Sequence, residues 1–323
     1  MRYTISGLAA TTALVFGGQA LAEVPRVVTD FAPAEGLVAM VMGDLGSPER
    51  LLEQGANPHD FQLRPSQAAA LAEADLVVWM GPQMAPWLNR ALEGQGDLPQ
   101  IRLLEIAGTY LQPFGATHED AGHEGHDHAA APEDSGHDDH EAGDGHDHSA
   151  EGMDPHAWLD PGNGQLWLGQ IAKELAARDP ENAATYAANA ARAQADLAAL
   201  DQRLTADLAP LKGKPFVVFH DAYGYFTGHY GLTLAGAVAL GDATSPGAAH
   251  LAALQDQAGT RALCLFPEAG HDPKLVEQMA EATGVAVGAA LDPEGVQADP
   301  GPGAYLAVLE ALGAALTECL NRS

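Results

Sequence analysis

The hydrophobic pattern divides the chain into short apolar runs and longer stretches with apolar residues three or four apart. Arg26–Thr29 reads as a strand. Ser66–Ala74 reads as a helix, with Ser66 as its N-cap. Leu76–Met80 (LVVWM) is a continuous apolar run, as expected of a parallel strand covered on both faces. Pro82 breaks it, a helix follows to Leu92, and Ile101–Leu104 is the next strand. After Asp179-Pro180-Glu181, a helix start signal, apolar positions recur at Tyr186, Ala190, Ala193, Leu197, Leu200, Leu204, Leu208 and Leu211. This spacing is the helical period. About 28 residues at 1.5 Å each span roughly 40 Å, too long for a compact βαβ unit. It suits a strut between two domains, ended by Pro210 and Lys212-Gly213-Lys214-Pro215. Strand signals resume at Phe216–Phe219, Leu232–Leu240, Ala262–Phe266 and Val285–Leu291, and Tyr305–Leu320 reads as the last helix. The expectation is an α/β lobe over 23–178, a linking helix over 179–211 and a second α/β lobe over 212–323, both with parallel sheets.

The first 22 residues read differently. Arg2 gives a short positive start, Ile5–Phe16 is apolar or small, and Ala20-Leu21-Ala22 forms a small-x-small cleavage signal before Glu23. This is the layout of a cleavable export signal. The apolar run is too short for a membrane anchor, and no cysteine follows it to carry a lipid. The expectation is a periplasmic protein without an anchor. In that oxidising compartment Cys264 and Cys319 read as one disulfide, with two unrelated buried thiols as the alternative.

Composition excludes some partners. The chain carries a formal net charge of −29, so nothing neutralises nucleic-acid phosphates. Between residues 117 and 152 the apolar pattern disappears. The segment holds HEGHDH, GHDDH and GDGHDH, with eight of the fourteen histidines: His118, His123, His126, His128, His137, His140, His146 and His148. It cannot bury enough apolar surface to fold alone and reads as a disordered insertion in the first lobe. A solvated linker needs only Asp and Glu, so the histidines point to weak metal capture.

Six histidines lie outside this segment. His59 follows Asn57-Pro58, His156 follows Asp154-Pro155, and His220 ends the Phe216–Phe219 strand, at the edge where open α/β sheets bind ligands. Each has an Asp within two residues (Asp60, Asp154 and Asp221) that would orient its ring. His229, His250 and His271 lack such settings and read as packing residues. Three imidazoles suit zinc, while Cu²⁺ binds more tightly in most such sites. Zinc binding should weaken as pH falls towards 5, because ligand imidazoles, with a reference pKa of about 6.5, must be deprotonated.

The stretches NPHDFQLRPSQ, ADLVVWMGPQMAPWL, MDPHAWLDP, FHDAYGYF, CLFPE and LDPEG resemble the ZnuA-type, zinc-specific branch of periplasmic metal-binding receptors that serve ABC importers. The resemblance spans the chain from near Glu23 to Cys319. It implies two α/β lobes joined by a rigid helix, with Zn²⁺ in the cleft between them and His59, His156 and His220 as ligands. It also implies a Cys264–Cys319 disulfide, a mobile His-rich loop, and delivery by a monomer to the importer's membrane permease. Some relatives carry a Glu immediately before the first histidine, where this chain has Pro58. Others use an Asp corresponding to Asp292, so Asp292 or a water is the expected fourth ligand. A periplasmic zinc buffer and a zinc-dependent hydrolase are the alternatives. The hydrolase lacks an HExxH motif and any placed general base. Removing Thr117–Ser149 should leave one tight zinc site and abolish several weak ones, as counted by titration calorimetry; loss of the tight site would contradict the receptor reading.

Overall fold

A computed structural model of the chain describes residues 23–59, 61–115, 152–239 and 246–322. The expected export signal, the His-rich segment and Asp60 lie outside these residues. The first half holds β1 (Val27–Thr29), α1 (Ala32–Met42), β2 (Glu49–Arg50), α2 (Pro65–Glu73), β3 (Leu76–Trp79), α3 (Pro86–Glu93) and β4 (Gln100–Arg102). Then come α4 (Pro161–Arg178) and α5 (Ala183–Leu208). The second half holds β5 (Phe216–His220), α6 (Gly224–Tyr230), β6 (Leu234–Ala239), α7 (Ala248–Arg261), β7 (Cys264–Leu265), α8 (Lys274–Thr283), β8 (Ala286–Val287) and α9 (Ala304–Leu320).

The strands form two four-stranded sheets, ordered β2-β1-β3-β4 and β6-β5-β7-β8. Every pairing between these strands is parallel. β5 shows why its run is continuously apolar. Phe216 and Val218 face the main core, while Val217 joins a second cluster with Val238, Leu254 and Leu265. Successive side chains enter opposite faces, and both faces are covered.

α5 buries Tyr186, Ala190, Ala193, Leu197, Leu200, Leu204 and Leu208 on one face, as the periodicity requires. Its 26 residues make a rod of about 39 Å. Short 3-10 turns flank it at Pro180–Asn182 and Ala209–Leu211. α5 runs back along α4, and the Gln194 amide donates to the Gln165 carbonyl at 2.8 Å.

Two details differ from the sequence reading. α2 begins at Pro65, not Ser66. Its capping box pairs the Arg64 backbone N–H with the Gln67 side chain at 2.7 Å, and proline occupies the first helical position, where a missing N–H costs nothing. α1 carried no helical periodicity because it has almost no polar face: ten of its eleven residues are buried. It packs so closely on α9 that a Cβ at Gly36 would sit 2.5 Å from the Tyr305 nitrogen. The Cys264–Cys319 disulfide ties the end of α9 to β7.

Asp30 follows β1 and is 1% exposed. Its carboxylate accepts the N–H groups of Phe31 and Met80, both at 2.9 Å, and so joins the ends of β1 and β3. Burial pushes its pKa up to about 7, and the two backbone N–H groups only partly offset this. Below its ordinary value of 3.8 the carboxyl is protonated in both folded and unfolded chains. From there to pH 7 only the folded chain keeps the proton, so this contribution is lost as pH rises, by about 4 kcal/mol in total. Asp30→Asn should remove that slope. Urea unfolding of metal-free protein at pH 5 and pH 8 would measure it, and equal wild-type and variant slopes would contradict the assignment.

Candidate metal centre

Three polar segments converge where the sheets end. His59 lies in the loop after β2. Its N–H donates to Asn57 Oδ1 at 2.8 Å, and the Trp87 indole fixes the Pro58 carbonyl at 2.7 Å. His156 precedes the Ala157–Leu159 turn that leads into α4, whose N-cap is Asp160. His220 is the last residue of β5. The ring centroids are 5.5 Å apart for His59–His156, 5.2 Å for His156–His220 and 6.1 Å for His59–His220. One ligand atom from each histidine and one from Glu294 all lie within 4.8 Å of one another.

The carboxylates behind the rings decide which nitrogen faces the centre. Asp154 Oδ1 is 2.7 Å from His156 Nδ1 and also accepts the His156 N–H at 3.0 Å. Both oxygens of Glu268 approach His220 Nδ1, at 2.7 and 2.8 Å. A carboxylate oxygen accepting from Nδ1 fixes each ring and turns its Nε2 toward the other. The two Nε2 atoms then face each other at 3.3 Å. A tetrahedral zinc with Zn–N bonds of 2.0–2.1 Å separates its ligand nitrogens by about 3.3 Å.

Glu294 completes the group, with Oε1 2.7 Å from His59 Nε2. Burial raises its pKa, but the bond to His59 and the charges of His59, His220 and His156 outweigh burial and leave it below the usual range. Asp154 is pushed up to about 7, chiefly by burial, against the lowering effect of its bonds to the His156 backbone and Gln112. The Tyr223 hydroxyl donates to Glu268 Oε2 at 2.9 Å. Burial first, then the Glu268 charge, holds that phenol well above its ordinary range.

Asp292, the expected candidate for the fourth ligand, is not one of the four residues whose ligand atoms gather within 4.8 Å. Its oxygens accept the N–H groups of Val296 and Gln297 at 2.8 and 2.9 Å. It shapes the loop that presents Glu294, two residues on. Gly295 turns this loop at φ +66, where any Cβ would come within 3.0 Å of Val308 and Ala32. The segment is fixed to the first half of the chain by Gly55 N–H to Val296 O at 2.8 Å, Gln54 to Gln297 O at 2.9 Å and Trp158 to Pro293 O at 2.7 Å.

Asp154 occupies the orienting role expected of it. For His220 a carboxylate on Nδ1 is Glu268, just past β7 in CLFPE. Its signal was positional: β7 pairs with β5, so the residues that follow both strands emerge at the same sheet edge. His229 meets Asp201 at 2.8 Å and His250 meets the Ala237 carbonyl at 2.9 Å. The eight histidines of the 117–152 segment lie outside the described residues.

Because Glu268 and Asp154 set the tautomers, Glu268→Gln or Asp154→Asn should weaken zinc binding by about 10–100-fold, as measured by chelator competition, with the fold retained by circular dichroism. An unchanged affinity would contradict that role.

The family model for the zinc-uptake complex component A, periplasmic (ZnuA), matches residues 27–319. A high-affinity zinc uptake system protein ZnuA of Paracoccus denitrificans is 52% identical over 307 residues, covering 94% of each chain. The protein of the same name from Brucella suis is 34% identical, covering 95% of each. Among solved structures, a crystal structure of ZnuA superimposes with a TM-score of 0.71 at 26% identity, covering 92% of this chain and 99% of that one. A ZnuA deletion mutant with zinc bound gives 0.72 at 26% identity, covering 92% and 98%. The chain belongs to the ZnuA family of periplasmic zinc-uptake components.

Proposed function

We propose that the protein captures Zn²⁺ in the periplasm with His59, His156, His220 and Glu294, and delivers it to the membrane permease of an ABC-type importer. The observation that carries this reading is the pair of Nε2 atoms facing each other at 3.3 Å, the spacing that a tetrahedral zinc sets between two ligand nitrogens. Zn²⁺ takes three imidazoles and one carboxylate oxygen in a tetrahedron without strain, and the relatives named for zinc uptake match this chain over nearly its full length. The four ligands fill the tetrahedron and leave no open position for an activated water, which favours a carrier over a hydrolase.

Delivery also requires export and release. The N-terminal 22 residues supply the proposed export signal, and no described helix is long and apolar enough to cross a membrane. The ligands come from four separate segments of the chain, so a relative movement of those segments would open the site. In this reading the protein acts as a monomer, the permease is its partner, and nucleic acid plays no part.

A crystal grown with zinc, measured on both sides of the zinc absorption edge, should place one anomalous peak among these four residues. A peak elsewhere would overturn the reading. Replacing His220 with Ala should abolish tight binding. Glu294→Gln should weaken zinc binding by about 10–100-fold, whereas Asp292→Asn should affect it less.

A further inference from the structure

One imidazole near the centre is used by nothing described so far. His271 lies between β7 and α8, in the segment that follows Glu268. Its ring packs on Phe219 with centroids 4.5 Å apart, and its centroid is 6.2 Å from that of His220. This matches the 6.1 Å between His59 and His220. The four side chains of the proposed site are nearly sealed, at 0% exposure for His156, 3% for His220, 5% for Glu294 and 7% for His59. The His271 side chain is 26% exposed. It is the half-exposed imidazole beside a buried trio.

Its contact with Glu268 is also informative. His271 Nε2 is 3.4 Å from Glu268 Oε1. Charge-assisted hydrogen bonds of this type are shorter, about 2.7–2.9 Å. The other donors to this carboxylate reach that range, with His220 at 2.7 Å and Tyr223 at 2.9 Å. A separation of 3.4 Å instead resembles the ligand–ligand edge of a tetrahedral zinc, about 3.3 Å for bonds of 2.0–2.1 Å.

We infer that His271 Nε2 and Glu268 Oε1 form an outer site for a partly hydrated divalent cation of the zinc type, through which Zn²⁺ passes to and from the buried centre. This rests on the ligand set proposed above. A hydrated ion cannot exchange all its waters for four buried ligands in one step. A half-exposed imidazole lets it lose them in stages. Glu268 then links the two positions, because the same carboxylate that would hold the outer ion holds His220 Nδ1. With two protein ligands the outer site binds weakly, so it acts on rates rather than on final affinity.

That distinction gives the test. A residue on the exchange path speeds entrance and exit equally, so its removal slows both and leaves Kd unchanged. A residue that merely steadies Glu268 changes Kd through the dissociation rate. Trp158, whose ring centroid is 5.1 Å from that of His156, reports arrival at the inner site by fluorescence. Association of buffered Zn²⁺ and its removal by excess chelator would be followed by stopped flow in the full chain, His271→Ala and His271→Gln. Gln keeps an N–H donor towards Glu268 but is a poor zinc ligand. Both variants should slow both rates by roughly fivefold or more, within the one to three decades over which association rates of related complexes differ, with Kd unchanged. Unaltered rates would overturn the proposal. So would a weakened Kd with a normal association rate, or rescue by Gln. His59→Ala tests the inner ligand set separately: if it binds zinc as tightly as wild type, that set is wrong, whatever His271 does.

Discussion

The rest of the centre depends on the confrontation of two imidazole nitrogens. His156 and His220 come from opposite halves of the chain, and each has its Nδ1 tied to a buried carboxylate. Neither ring can turn its proton inward without losing a strong charge-assisted bond. Their Nε2 atoms are therefore held 3.3 Å apart, the separation that a tetrahedral zinc sets between two ligand nitrogens. The geometry follows from the carboxylates, since a neutral imidazole alone would choose either tautomer. Protein folding positions Asp154 and Glu268, and these position the ligand atoms.

The second constraint is the loop from Asp292 to Gly301. It leaves the second sheet, crosses to the first half of the chain and continues into α9. The Asp292 carboxylate folds the loop on itself, and Gly295 allows the tight passage between Val308 and Ala32. At the far end the Gly301 N–H meets Glu35 Oε1 at 2.7 Å, and Arg50 Nη1 lies 3.6 Å from Glu35 Oε2. Glu294 sits between these anchors, so its position records how the two halves lie against each other. A change in that relation would move the carboxylate before it moved the histidines, which stand on a strand end and on short Pro-set turns.

How much was legible follows from where each signal lives. The strut was readable because α5 has one buried face, so its apolar spacing survives in the sequence. α1 was not, because a helix buried on all sides shows no 3.6-residue alternation. The three histidines were visible through local settings: a proline before two of them and a strand end for the third. Glu268 and Glu294 were not singled out in those roles, because their settings are tertiary. Glu268 becomes a partner of His220 only through the pairing of β7 with β5, and Glu294 reaches His59 only because its loop crosses the molecule. Asp292 attracted notice by resemblance, yet the residue two positions on points into the group. In a tight loop, that shift decides whether a carboxylate meets backbone N–H groups or imidazoles.

The same arrangement explains why so polar a centre persists in a core. Four potential ligands and two supporting carboxylates are buried together, and burial of ionisable groups opposes folding unless each is paired. Pairing is nearly complete without the ion: Asp154 and Glu268 hold imidazole Nδ1 atoms, and Glu294 meets His59. The remaining contact is the Nε2 pair, set at the spacing that a tetrahedral zinc bridges. Any ligand that binds only the folded state stabilises it by mass action, so zinc should draw the segments bearing His59, His156, His220 and Glu294 together. Those segments span 59 to 294 in the chain. The ion is thus cargo and, while bound, a cross-link between the two halves. A carrier needs this coupling in reverse as well: whatever separates the halves also takes the ligands away from the ion.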